Sequence, residues 1–291
     1  MTPPTPVLQR PAGAQEVPGL LVGSRAVNGG TDLLVQRRAG IEAPTLLDLR
    51  AVRAEVPVLE RTATGDLRIS ALHTLTEVAT ALAGALVPLQ ESIALFASTT
   101  IRNRATIGGN LANGSPAADT VPPLLVLDAA VDVVGAGGTR TVPLADFLLG
   151  PRRVDLRADE WIRTVTVPEG ACGPTRPAAG FRKIGGRQAQ AISFLSLAWQ
   201  WRASERDALT DVRFAMGAVA PTVVRLHTLE RLLEGTTPGP EVIAEAANAV
   251  EHDIRPIDDL RASAAYRRRC AAGLVREALG AWTAMPTRDE R

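Results

Sequence analysis

Thr106-Ile107-Gly108-Gly109-Asn110, followed by Ser115-Pro116-Ala117-Ala118-Asp119, is the stretch that decides how this chain is read. Paired glycines lack Cβ atoms, so their backbone comes close to a ligand and turns several N–H groups toward one cluster of oxygens. Neighbouring Thr, Ser and Asn side chains add further donors. Far upstream stands a second turn of the same make, Asn28-Gly29-Gly30-Thr31-Asp32. One such loop suits a phosphate. Two, remote in sequence but close in space, suit the two sides of a pyrophosphate. The basic run Ile101-Arg102-Asn103-Arg104 precedes the second loop and the carboxylate of Asp119 follows it. A carboxylate in that position accepts hydrogen bonds from ribose hydroxyls. A double glycine is also the default for a bare turn, because glycine takes positive φ without strain; it is the polar surroundings that favour the phosphate. Neither loop fits Gly-x-Gly-x-x-Gly after a strand, and neither ends in the Lys-Ser/Thr of a P-loop. A dinucleotide held here calls for a different fold.

The chain has 291 residues, enough for two domains or one large one, and 46% of them are apolar. A net charge of +1 gives no electrostatic reason to expect nucleic acid. Cys172 and Cys270 are too few for a disulfide framework, a zinc site or a four-cysteine cluster within this chain. They read as reduced thiols. His73, His227 and His252 show no metal-ligand spacing. Met1-Thr2-Pro3-Pro4 opens no secretory signal pattern, and no run of about 18 apolar residues suggests a membrane span. The expectation is a cytoplasmic protein with no membrane segment.

Three regions are expected. Residues 1–55 read as an α/β unit: a strand over 24–27, the first glycine turn, a helix over 31–38 and a strand over 45–49. Residues 56–176 begin with a strand at 67–69 and a helix capped by Thr74 with Glu77 as its capping-box partner. His73 beside that cap reads as a polar turn residue. A second helix spans 88–97, and a hairpin turns at 135–138. A strand follows over 160–167, with Trp161, Arg163, Val165 and Val167 on one side and Ile162, Thr164 and Thr166 on the other. The Pro- and Gly-rich stretch 168–179 marks a boundary. Residues 177–291 read as an α+β domain: strands over 192–202 and 212–218, then helices near 226–235, 239–252 and 263–281. Arg267-Arg268-Arg269 reads as a solvated helix face, with docking to a partner subunit as the alternative.

Four separated motifs, in order, resemble the FAD-binding (medium) subunit of the molybdenum hydroxylases, the xanthine dehydrogenase and carbon monoxide dehydrogenase family. They are Asn28–Leu33, Ile101–Leu111 with Ser115–Asp119, Phe181–Arg187 with Gln190–Ser193, and Gly217–Thr222. The resemblance spans nearly the whole chain. It implies two small α/β subdomains that clasp FAD (the PCMH-type fold) and a C-terminal α+β domain of the CO dehydrogenase flavoprotein type, its sheet covered by helices.

The same resemblance implies the site. Asn28, Gly29, Gly30, Thr31, Asp32 and Leu33 would hold the pyrophosphate. Thr106, Ile107, Gly108, Gly109 and Asn110, with Ser115, would close its other side and reach the flavin. Phe96 and Ala97 would pack against the cofactor. Asp119 would bind ribosyl hydroxyls, and the alternative for it is a helix N-cap before 120–127. Ile162 would lie on the strand passing the isoalloxazine. Lys183 would sit near the reactive end, and its alternative is a solvated basic turn. No residue of this chain is expected to be catalytic or to bind metal. Its partners would be a large molybdenum-cofactor subunit and a small subunit with [2Fe–2S] clusters, forming a heterotrimer. Electrons would leave to NAD+, oxygen or a quinone. The rival expectations are a stand-alone FAD-dependent oxidase or dehydrogenase, and a redox-inactive nucleotide-binding scaffold.

Overall fold

The structure is a computed structural model that describes residues 5–41, 43–172, 178–187, 190–205 and 207–283. The chain divides into two compact units, each assembled from separated segments. One comprises Met1–Ala83, Ala97–Gly114 and Asp128–Cys172; the other comprises Gly84–Phe96, Ser115–Leu127 and Gly173–Arg291.

Among the described residues the first unit holds a three-stranded sheet, a five-stranded sheet and a separate two-stranded hairpin. β1 (Val7–Gln9), β2 (Arg25–Val27) and β3 (Thr45–Asp48) form a parallel sheet in the order β1-β3-β2. A parallel pair needs a crossover, and the segment between β2 and β3 supplies one: the first glycine turn and helix Leu33–Arg38. That helix is shorter at its start than the sequence suggested, and Leu34 and Val35 are exposed rather than packed. Val17, Leu21, Leu47, Leu49 and Val52 fill the core here with Leu72 and Trp161.

The larger sheet is antiparallel: β4 (Leu59–Arg61), β5 (Leu67–Ser70), β6 (Ala130–Gly135), β7 (Gly138–Pro143) and β10 (Trp161–Val167), in the order β4-β5-β10-β6-β7. β6 and β7 make the expected hairpin, with Gly135 opposite Gly138. A short hairpin, β8 (Leu148–Gly150) with β9 (Arg153–Val154), precedes β10. The simple alternation expected of β10 fails at one place. The register against β6 shifts between Ile162 and Thr164, so Trp161 and Ile162 are both buried and Arg163 is exposed. A bulge leaves its extra residue out of the ladder. The carbonyl of Arg163 accepts the N–H of Ala71 instead, at 3.0 Å. Helix Leu75–Leu82 starts at the expected capping box: Thr74 Oγ1 accepts the Glu77 N–H, and the Glu77 carboxylate accepts the Thr74 N–H.

The second unit is built on β11 (Ala178–Gly185), β12 (Ser193–Ala203), β13 (Leu209–Gly217) and β14 (Val224–Arg225), antiparallel in that order. Leu195, Leu197, Trp199 and Trp201 on β12 and Phe214 and Met216 on β13 meet helices His227–Leu233, Pro240–Asp253 and Ala264–Thr283 in one core. Trp201 stacks on Phe214 at 5.6 Å between ring centroids. Each large side chain buried this way stabilises the fold by about 1.5–3 kcal/mol. β12 is buried on both faces. On its other face lie Ser196, Ala198 and Gln200, toward helix Val121–Val126, whose N-terminal prolines lack N–H groups that would otherwise need partners.

Arg267 departs from the solvated face expected of the arginine run. It is 3% exposed and donates to the carbonyls of Phe194 and Ile257 and to Asp259. Successive helical residues are about 100° apart, so three in a row cannot all face water. The expected boundary at 168–179 falls partly on 173–177, which lie outside the described residues; before them, Glu169–Cys172 forms a short helical turn.

Candidate functional site

In the first unit the two glycine loops meet. Gly29 lies against the backbone of Arg104: a Cβ built on it would sit 2.1 Å from the Arg104 carbonyl oxygen. Arg104 Nε returns a hydrogen bond of 3.3 Å to the Gly29 carbonyl. Both loops are tied to one stretch of backbone beyond β5. Asn28 Nδ2 donates to the Leu72 carbonyl at 2.8 Å, and the Gly108 N–H donates to the Ala71 carbonyl at 3.1 Å. Thr74 and Thr106 bridge beside these bonds, and the Leu75 N–H donates to the Ala105 carbonyl. Residues 28–30, 71–75 and 104–109 thus form one packed knot.

The four glycines of this knot do different work. Gly29 and Gly108 are there for packing, since a Cβ on Gly108 would come 2.7 Å from the Ala71 oxygen. Gly30 is there for conformation, at φ +71°. Gly109 is exposed, and within 4 Å of its Cβ position only Thr106 Oγ1 is met among the described residues, at 3.2 Å. The open side of the second loop is therefore at Gly109. Thr106 is the N-cap of helix Ile107–Ala112 and accepts the Gly109 N–H at 3.0 Å. Ile107 is fully buried and Asn110 half-buried on the same helix. In the first loop the N–H groups of Gly29, Gly30, Thr31 and Asp32, and the Thr31 hydroxyl, have no acceptor among the described residues. Such a row of donors in half-buried backbone fits an anionic oxygen cluster. Asp32 precedes helix Leu33–Arg38 and accepts from Gln36 at 3.1 Å. Ala97 stands in this unit at φ +40°, and Ile162 is 5% exposed at the bulge in β10.

His73 is buried beside the knot, its Nδ1 2.8 Å from Ser70 Oγ. Burial, with Arg53 nearby, holds its imidazole below the ordinary range. It is a buried polar turn residue, as expected.

The second unit brings together Asp119, Lys183 and Ser193, whose role in the site no sequence pattern marks. Lys183 Nζ lies 2.6 Å from Asp119 Oδ2, and Ser193 Oγ lies 2.5 Å from Asp119 Oδ1. The Asp119 side chain is 8% exposed and that of Lys183 is 7% exposed. The solvated-turn alternative for Lys183 is therefore set aside: it stands on strand β11 with its side chain buried. The N-cap alternative for Asp119 also fails. Thr120 occupies that position before helix Val121–Val126, with no side-chain cap. Burial pushes the Asp119 carboxyl above its ordinary range, and Lys183 and Ser193 pull it back part of the way. Ser115 stays at its loop, its hydroxyl accepting the Ala117 N–H at 3.2 Å. Half-buried Phe96 ends helix Val87–Leu95, whose Leu95 carbonyl is 3.5 Å from Lys183 Nζ.

Among the described residues no group of His, Cys, Asp or Glu is suited to a metal, and no helix is long and apolar enough to cross a membrane. The donor row and the packed glycines of the first unit fit the anionic oxygens of a pyrophosphate.

Comparison with known proteins agrees. Residues 8–170 match the family described as the FAD binding domain in molybdopterin dehydrogenase, and residues 181–282 match the CO dehydrogenase flavoprotein C-terminal domain. The chain is 29% identical to the carbon monoxide dehydrogenase medium chain of Hydrogenophaga pseudoflava, over 97% of this chain and 98% of that protein. It is 28% identical to the xanthine dehydrogenase FAD-binding subunit of Escherichia coli, over 84% and 83%. A solved carbon monoxide dehydrogenase from Hydrogenophaga pseudoflava, lacking the Mo-pyranopterin moiety, superposes with a TM-score of 0.89 at 26% identity, covering 97% of this chain and 99% of that one. The fold is accordingly a mixed α/β FAD-binding domain followed by its C-terminal domain, and the chain belongs to the family of FAD-binding subunits of molybdenum-containing dehydrogenases, as its flavoprotein component.

Proposed function

We propose that this chain is the electron-output module of a heterotrimeric hydroxylase. In this reading a large molybdenum-cofactor subunit oxidises the substrate and a small subunit carries [2Fe–2S] clusters. FAD, when bound to this chain, supplies the exchange of electrons between those clusters and a terminal acceptor such as NAD+, oxygen or a quinone. A cytoplasmic location goes with it. The division into 1–55, 56–176 and 177–291 is retained as the functional layout: two cofactor-clasping subdomains and a C-terminal domain.

The observation that carries the reading is the meeting of the two glycine loops at Gly29 and Arg104, with the first loop's donors unspent among the described residues. Asn28 to Leu33 offer backbone N–H groups and the Thr31 hydroxyl to the pyrophosphate. Thr106 to Asn110 offer the open side at Gly109. Ser115 and Asp119 serve the polar middle of the cofactor, and Phe96, Ala97 and Ile162 its apolar contacts. Lys183 holds a positive charge near the ring, which favours an ionised reduced flavin.

The test is an absorbance spectrum of the purified chain, alone and co-expressed with its partner subunits, with acid release of any yellow cofactor. One FAD per chain is expected. A colourless protein in both preparations that takes up no added FAD would refute the reading. Gly109→Val should lose the flavin with the C-terminal domain still folded.

A further inference from the structure

The Lys183–Asp119 pair is completed by a side chain that strand geometry alone would have turned away. In the β11–β12 ladder Lys183 opposes Ser196 and Ile184 opposes Leu195, but Gly185 opposes Ser193, so the register slips by one residue at Phe194. With strict alternation, Phe194 would share the face of Ser196 and Lys183. The bulge instead sends Phe194 to the helix-covered core, where it meets Tyr266 edge-on at 6.4 Å. Ser193 takes the Lys183 side. Bulges of this kind re-aim a side chain, and they gather beside active sites.

Resting on the FAD reading above, we infer that Ser193 is a positioning residue for the Lys183 ammonium, acting through Asp119. A lysine ammonium is a point charge on a flexible four-carbon stem, so a carboxylate free to turn would not fix it. Ser193 is 1% exposed, and its hydroxyl takes Oδ1 of Asp119 at 2.5 Å. That leaves Oδ2 for Lys183 at 2.6 Å. The ammonium has three N–H groups. One goes to Asp119 and the second reaches the Leu95 carbonyl only at 3.5 Å; the third has no acceptor among the described residues.

The charges acting on the pair are few. Lys183 on β11 is the one charged group acting on Asp119 among the described residues, and helix Val121–Val126 carries no charged side chain. Glu91, on helix Val87–Leu95, is committed to the Phe181 N–H at 2.7 Å and lies 3.8 Å from Arg182. Among the described residues Ser193 is therefore the neutral donor that helps Lys183 offset the burial of Asp119.

The experiment follows FAD retention and the visible spectrum of the flavin-loaded protein as pH is lowered, in wild type, Ser193→Ala, Ser193→Thr, Ser193→Val and Asp119→Asn. Losing one neutral hydrogen bond to a buried carboxylate should raise the acid transition by about one pH unit in Ser193→Ala. Thr and Val have the same shape and differ in the hydroxyl, so Thr should restore the wild-type transition and Val should not. Asp119→Asn should abolish the transition. The inference is overturned if Ala and Val titrate like wild type while Asp119→Asn does not. If Asp119→Asn itself keeps the wild-type profile, or if wild type takes up no FAD, it is the underlying site assignment that falls.

Discussion

Gly29 and Arg104 are 75 residues apart in sequence, yet a Cβ on the glycine would stand 2.1 Å from the arginine's carbonyl oxygen. Backbone meets backbone, so no rotamer change relieves the clash. Gly29→Ala should therefore cost about 1–3 kcal/mol by overpacking, and Gly108→Ala, aimed at the Ala71 oxygen, a similar amount. Among the described residues Gly109→Ala meets Thr106 Oγ1 alone, and it should be near neutral for stability. Thermal unfolding of the three variants, with flavin content measured alongside, checks the difference. Equal losses of stability at all three positions would contradict it.

A second tight approach lies in the C-terminal unit. A Cβ on Gly180 would stand 2.4 Å from the ring of Trp199, which lies under the Arg182 guanidinium at 5.6 Å. Gly180→Ala should displace the indole and destabilise that unit by about 1–3 kcal/mol, with a change in tryptophan fluorescence. Unchanged emission and melting would refute the packing account.

Arg267 and Arg268 should part company. Arg267→Ala removes the guanidinium that the Phe194 and Ile257 carbonyls accept from, and takes from Asp259 one of its several partners. The expected cost is about 1.5–3 kcal/mol, the range for a hydrogen bond to a charged group. Arg268→Ala should stay within about 0.5 kcal/mol of wild type. Chemical denaturation of both variants reads the contrast, and similar midpoints would sink it.

Acid should weaken the fold through specific carboxylates. Burial pushes Asp259 up, but the N–H groups of Ala262 and Arg261 and the Arg267 guanidinium outweigh it and hold the carboxyl at about 2. Arg140 likewise holds Glu160 below the ordinary range against the effect of burial. A group with a depressed folded pKa contributes stability above its unfolded pKa and loses it as pH falls through the folded one. Asp259→Ala should therefore melt below wild type at neutral pH, with the gap closing from about pH 4 downward. A gap independent of pH would show that the ion pair is not its cause.

The sequence by itself determined the local pieces. The Thr74–Glu77 capping box, the 135–138 hairpin and the three C-terminal helices depend on residues three or four positions apart, so composition and period reveal them. The spacing of glycines and polar residues also pointed to a phosphate-binding pair of loops, and the four motifs pointed to the family. Only the tertiary structure decided what those residues touch. Ala71 and Leu72 belong to none of the motifs, yet their carbonyls tie both glycine loops together. Arg267 became a core residue because a buried guanidinium found three acceptors from two other segments. Ser193 reached Asp119, 74 residues away, through one slipped register in a β ladder. Long-range hydrogen bonds and bulges leave no periodic trace in a chain, because each is fixed by which distant backbone happens to pack beside it.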